Sequence, residues 1–316
     1  MNPFSVLSKS QHTKSSRSTK SSKEEPTEPV IEPKFPIKQF EYIEGRNYRL
    51  TQNPVEQLLP CDDEEIERLQ INHMLFKNLF IKPYFAPVTR LLESGIKVLC
   101  VSAGPGWWAL DLARQYPKSH FTATDSVLYP ISHPPANCHF RLMDSTTGLT
   151  FPDNTFDYVA QFDALLKYSQ RDWKVMIAEM ARVTKPGGYV ELVEQGGAMQ
   201  DVGPNLSIWI MRLTVSLQTR NINLKIATQL ESMIRESGQF HLVESSHRSA
   251  PIGWYGKNGD IMLECLKRLL DSIKPKLCED WSMSIAKYDK MAESIAKECC
   301  EFKSWLNFHY TVAQKK

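Results

Sequence analysis

The sequence lacks a long apolar run. No stretch approaches the roughly 18 uncharged apolar residues of a membrane span, so no transmembrane segment is predicted. No apolar core follows Met1-Asn2-Pro3-Phe4-Ser5, which argues against a secretory signal, and Asn2 excludes N-myristoylation. The expected compartment is cytoplasmic or nuclear, with no membrane partner. Zinc-type cysteine spacing is also missing. The seven cysteines (Cys61, Cys100, Cys138, Cys265, Cys278, Cys299 and Cys300) form no C-x-x-C, and their number is odd. Neither a disulfide framework nor a metal site is expected, and the thiols read as reduced. An excess of one charge is absent too: Lys+Arg 38 against Asp+Glu 36 leaves a net +2, which gives no global case for nucleic acid. What remains is 316 residues of ordinary globular composition, 42% hydrophobic and 23% charged, enough for one large domain or two small ones.

Residues 1–38 read as a disordered tail, with five prolines and few apolar residues to offset ordering entropy. The cations Lys9, Lys14, Arg17, Lys20 and Lys23 precede any acid, loosely like a transit peptide, but no apolar face accompanies them. The folded part is expected over 39–316. Asp62 or Asp63 can cap a helix carrying Ile66, Leu69, Met74, Leu75 and Leu79. A second helix is predicted from Pro83 to Glu93, ending at Gly95. Strands and helices then alternate. Strands are expected at Lys97–Ser102, Phe121–Thr124, Asn137–Leu142, Asp157–Gln161, Tyr189–Glu194, Phe240–Ser245 and Phe308–Gln314. Helices are expected at Trp107–Gln115, Trp173–Val183 and Ile222–Ser237, with 258–304 mostly helical. This alternation predicts an α/β fold whose sheet is covered on both faces.

The most informative segment is Val98-Leu99-Cys100-Val101-Ser102-Ala103-Gly104-Pro105-Gly106-Trp107-Trp108-Ala109, an apolar strand turning at two glycines into a helix. Glycine permits the turn and close ligand approach, and a helix start favours an anionic group. A second strand ends at Asp125, 19 residues beyond Gly106, where a carboxylate can accept both hydroxyls of a ribose. NAD and S-adenosylmethionine both meet these requirements. A plain tight turn and a helix-capping Asp125 are the bland alternatives.

Downstream residues separate the two cofactors. They are Met143-Asp144, Phe151-Pro152-Asp153-Asn154-Thr155-Phe156-Asp157-Tyr158-Val159 and Arg182-Val183-Thr184-Lys185-Pro186-Gly187-Gly188. With the glycine loop, this series resembles the class I S-adenosylmethionine-dependent methyltransferases over about residues 95–195. Gly45-Arg46-Asn47-Tyr48, Trp107-Trp108-Ala109-Leu110-Asp111, Arg171-Asp172-Trp173 and Pro251-Ile252-Gly253-Trp254-Tyr255-Gly256 are similar to a narrower fungal group that includes regulators of secondary metabolism. The resemblance implies a Rossmann-like seven-stranded sheet in the order 3-2-1-4-5-7-6. It also implies an N-terminal helical segment (62–94) and a helical insertion before the last strand (249–304). The implied activity is methyl transfer by direct displacement, with S-adenosyl-L-methionine as cofactor. The acceptor is an unidentified small molecule or protein. The alternative is a degenerate member acting as a regulator or scaffold with a protein partner; a nicotinamide-binding oxidoreductase is the more distant one.

The resemblance also implies roles for individual residues. Ala103, Gly104 and Gly106 would line the methionine end of the cofactor. Asp125 would take the ribose hydroxyls, Ser126 would border the adenine, and Asp144 would accept from its amino group beside Met143. Gln161 and Phe162 would face the sulfonium and the acceptor. Catalytic residues stay undetermined; Asp163, Tyr168, Glu194, His139 and His247 read more simply as surface or capping residues.

Two positions depart from the family pattern. Cys100 stands where an acid is usual and Ser102 where a glycine is usual. A neutral thiol cannot supply the acid's charge, and Ser102 is a mild change only if its φ is negative. If Cys100 faces the methionine group, Cys100→Asp should tighten S-adenosylmethionine by up to about tenfold. If it is a small buried apolar residue, the aspartate should lower the melting temperature with no gain in affinity. Both quantities, measured on that one variant, separate the readings.

Overall fold

Two short strands, β1 (Phe40–Ile43) and β2 (Arg46–Arg49), turn over Glu44 and Gly45 and pair antiparallel. Arg46 then reaches forward to the Asp62 carboxylate with two bonds of 2.8 Å. Asp62 in turn accepts the Glu65 N–H and caps α1 (Asp63–Phe80). The acids Asp63, Glu64 and Glu65 fill the first turn, where the helix dipole favours them.

The computed structural model describes residues 40–50, 55 and 57–316. The expected tail at 1–38 lies outside the described residues. The second expected helix starts later than its sequence suggests. Residues 83–88 are not helical and α2 is only Thr89–Ser94. Pro87 disfavours helix at Ala86. The N–H groups of Phe85 and Ala86 donate instead to the Glu191 carboxylate at 2.9 and 2.8 Å.

Beyond Gly95 the chain runs β3 (Lys97–Val101), α3 (Trp107–Gln115), β4 (His120–Asp125), β5 (Cys138–Leu142) and β6 (Phe156–Phe162). It continues through α4 (Gln170–Val183), β7 (Thr184–Gln200), α5 (Pro204–Gln218), α6 (Ile226–Glu236) and β8 (Phe240–Pro251). The last elements are α7 (Lys257–Asp280), α8 (Ile285–Glu301) and β9 (Trp305–Lys315). The sheet order is β5-β4-β3-β6-β7-β9-β8, the expected order when counted from its first strand. The strands are parallel except β9, which pairs antiparallel with both neighbours. α5 was not anticipated, and β7 and β8 run well past their expected ends.

Strand alternation divides the interior into two cores. Val98 and Cys100 point to one face, with Phe121, Ala123, Tyr158 and Ala160, against Trp108 and Leu112 of α3. Leu99 and Val101 point to the other, with Val159 and Val190, against Trp173, Ile177 and Leu230.

A buried ion pair within α1 is tied to α7 by one hydroxyl. Arg68 donates to both Glu65 oxygens at 2.8 and 2.7 Å, and Ser272 of α7 donates to the same carboxylate at 2.8 Å. Glu65 is 2% exposed and Arg68 5%. Removing one partner of such a pair leaves an uncompensated buried charge. Arg68→Met should therefore lower stability by about 3–5 kcal/mol, measured by denaturant unfolding. A loss below about 1 kcal/mol would mean the pair does not hold α1 to α7.

Candidate functional site

The strand order reverses between β4 and β6 on either side of β3, and in open α/β sheets ligands bind outside the carboxyl ends of the strands at this switch point. Here those ends are Ser102, Asp125 and Phe162–Asp163. The turn after β3 needs glycine: Gly104 has φ +57°, and Gly106 has φ +76° at the start of α3. A Cβ on Gly106 would meet the Phe140 ring at 2.3 Å. Ser102 also lies in the left-handed region, at φ +51°. The condition for a mild substitution there is not met. Its hydroxyl is instead held by the hydroxyls of Tyr168 and Ser145.

Two spaces open at this edge. The larger, about 590 Å³, is lined by Ser102, Ala103 and Gly104, by the aromatic rings of Phe76, Phe80, Phe85, Trp107, Trp108 and Phe162, and by Asp163 and Lys167. The smaller, about 60 Å³, is lined by Asp125, Ser126, Asp144, Tyr129 and Tyr168 beneath Leu59, Pro60 and Cys61. Asp125 is 6% exposed. It accepts the Gly104 N–H at 2.8 Å and the Val127 N–H at 3.1 Å, and pairs with the Lys167 ammonium at 2.8 Å. Asp144 accepts the Thr146 N–H at 3.0 Å and its hydroxyl at 2.6 Å.

The other anticipated residues lie elsewhere. Cys100 is 3% exposed, borders neither space, and sits in the α3-side core. Burial pushes its thiol well above the ordinary range. An aspartate there would be buried without a partner, so destabilisation with no gain in affinity is the expected result for Cys100→Asp. Gly106 and Met143 border neither space, and the Met143 N–H is bonded to the Asp125 carbonyl. Gln161 is wholly buried and borders neither space. His139 and His247 are exposed. Glu194 is buried and accepts the Ala164 N–H at 2.9 Å; burial raises its carboxyl. Asp163 borders the cavity and accepts from Asn72 at 2.6 Å.

The sequence reading passed over a cluster between α1 and α3. His73 Nε2 lies 3.0 Å and Lys77 Nζ 2.7 Å from one oxygen of Asp111, and all three border the cavity. Desolvation lowers the His73 pKa, with Lys77 adding to it against the pull of Asp111. The only signal was that His73, Phe76, Lys77 and Phe80 share one helical face.

An adenosine-bearing group suits these residues on several counts. An acid stands at the strand end, with Ser126 and Asp144 on the same hollow. A roomy cavity begins at the glycine turn, and the buried Trp107 N–H on its wall has no partner among the described residues. Seven strands in this order, with a glycine turn and an acid after the second, define the class I methyltransferase architecture. Residues 98–188 match the family described as a methyltransferase domain. The chain is 26% identical over 212 residues to a Coprinopsis cinerea protein named secondary metabolism regulator laeA, covering 61% of this chain and 52% of that one. It is 35% identical to the Aspergillus flavus protein of that name, over 48% of this chain and 40% of the other. It is 24% identical to the methyltransferase pytC of Aspergillus terreus, over 70% and 68%. The chain spans about half or less of the length of the laeA proteins it matches. The chain has the class I methyltransferase strand order, matches a methyltransferase domain over residues 98–188 and is similar to this fungal group.

Glu191 holds the edge of the site in place. Its carboxylate accepts from Phe85 and Ala86 and from the Tyr158 hydroxyl at 2.9 Å, and its other oxygen has no partner among the described residues. Burial pushes its pKa up from 4.5 to about 7, against those donors. Because the folded value is the higher one, the stabilisation is complete below about pH 4.5 and is lost as pH rises through about 7. Glu191→Gln should remove this dependence. Its melting temperature relative to wild type should rise between pH 5 and pH 7.5. A difference that stays constant over that range would place the titration elsewhere.

Proposed function

We propose that this chain transfers a methyl group from S-adenosyl-L-methionine to an acceptor held in the aromatic cavity. The observation that carries the reading is that the Asp125 carboxylate, the glycine turn and the 590 Å³ cavity meet at one switch point of the sheet. Asp125 would hold the ribose, while Ser126 and Asp144 border the base. Ser102, Ala103 and Gly104 would line the methionine end, and Phe162 would separate it from the acceptor. The cofactor supplies an electrophilic methyl, so the residues chiefly exclude water and align the acceptor. Trp108 and Phe162, with ring centres 4.8 Å apart, form an apolar wall suited to that task. His73, kept neutral by burial and steadied by Asp111, can accept a proton from an acceptor that must lose one.

A second reading has one observation in its favour. Position 100 lies on the face of β3 that α3 closes, so the first strand offers no acid to the methionine end, which suits a regulator or scaffold that binds the cofactor without turnover. Two of the relatives bear the name of regulator. A small molecule or a protein can serve as acceptor.

Calorimetric titration with S-adenosylmethionine and S-adenosylhomocysteine tests the cofactor reading. Wild type should bind both, and Asp125→Ala should weaken both at least tenfold with the fold intact, each lost charged hydrogen bond being worth roughly 1.5–3 kcal/mol. Unchanged affinity in that variant would remove Asp125 from the ribose site.

A further inference from the structure

The cavity and the hollow are separated by a wall that includes Leu69, Ser102 and Lys167, since each of these borders both spaces. Lys167 lies in the link between β6 and α4. Its ammonium is 2.8 Å from Asp125 Oδ2, with the lysine side chain 26% exposed and the aspartate 6%. That same oxygen accepts the Gly104 N–H at 2.8 Å, and Oδ1 accepts the Val127 N–H at 3.1 Å. Both oxygens are therefore engaged. The hollow beside them is small, at about 60 Å³.

A ribose that offers two hydroxyls to this carboxylate needs acceptor capacity that the ammonium now holds. The two backbone donors are fixed by the glycine turn and by the strand end. The lysine is on a flexible four-carbon stem and can rotate away. Its departure would also join the hollow to the cavity, which a ligand reaching from Asp125 to Gly104 requires. Asp163, on the cavity wall, is an acid that can receive the displaced ammonium.

We propose that Lys167 is a built-in competitor for the ribose position. It pairs with Asp125 when no nucleoside is present and swings out when one enters, so its charge sets the affinity for adenosine-bearing ligands. The proposal rests on the reading of Asp125 as the ribose acceptor.

The full chain is titrated with S-adenosylhomocysteine and, separately, with adenosine, as wild type, K167M, K167R and D125A. Lys167→Met should tighten both ligands about tenfold, near 1.4 kcal/mol. It should also melt lower than wild type without ligand, because Asp125 loses a partner, and gain more on ligand addition. Lys167→Arg keeps the cation and should stay within about twofold of wild type, a distinction that simple loss of packing would not produce. If the methionine variant fails to fold, Lys167→Gln replaces it with the same expectation. Equal or weaker binding by the uncharged variant, with Asp125→Ala weakened, would overturn the competitor role and leave the ribose acceptor standing. No binding by any of the folded proteins would overturn the ribose reading itself.

Discussion

The carboxylate of Asp125 ties together three segments that the sequence keeps far apart. It receives the N–H of Gly104 from the turn after β3, the N–H of Val127 just beyond β4, and the ammonium of Lys167 from the link after β6. Each segment is a loop at the carboxyl edge of the sheet, where backbone donors have no strand partner. A charged acceptor binds such donors about twice as strongly as a neutral one. The shape of the crevice therefore follows from one buried charge. The left-handed backbone at Ser102 and Gly104 is affordable because the turn is held at both ends, by this carboxylate and by the Tyr168 hydroxyl.

The sheet alone would leave that crevice open to water. The helices outside it supply the roof, and they are held by buried polar bonds as much as by apolar contact. Glu65 and Arg68 join α1 to α7 through Ser272, whose carbonyl also accepts from Tyr48 at 3.3 Å. On the other side of α1, the Trp108 N–H donates to the Pro83 carbonyl at 2.6 Å and Glu191 takes the next two free N–H groups. α1 is thus fixed at both ends, and its middle turn, carrying Asn72, His73 and Phe76, becomes the cavity wall. Residues of the cap and residues of the sheet share one site because these few bonds set their distance.

Much of this was legible in the sequence. The glycine turn and the acid after the second strand follow from local rules (apolar runs, glycine at a turn and acids at strand ends), whereas the strand order was implied by the family resemblance. Most of the misses come from contacts distant in sequence. Residues 83–88 look helical until Glu191, more than a hundred positions away, claims their N–H groups. α5 carries Leu206, Trp209, Leu213 and Leu217 at helical spacing and starts at a proline, so its signal was present and unread. Cys100 shows the limit most clearly. Alternation along β3 assigns it to the same face as Val98, and only the packing of α3 shows that this face is closed. The His73–Asp111–Lys77 cluster joins two helices, and no pattern within either one announces it.

The charges on the cavity sharpen the question of what enters it. Lys77, Lys82, Arg114 and Lys167 border it against the acids Asp111 and Asp163, and Asp111 is already engaged by Lys77 and His73. Position 100 faces the closed α3-side core, so no carboxylate reaches the cavity from the first strand. A sulfonium brings a positive charge into this surplus, whereas its demethylated product does not. On the proposed reading, negative charge for the cofactor would come from Asp125 and Asp163. Asp125 is available only when Lys167 leaves it, and Asp163 only if Asn72 or the displaced lysine does not neutralise it. On the proposed reading, the balance between cofactor and product is set by where one lysine rests rather than by an acid built into the first strand.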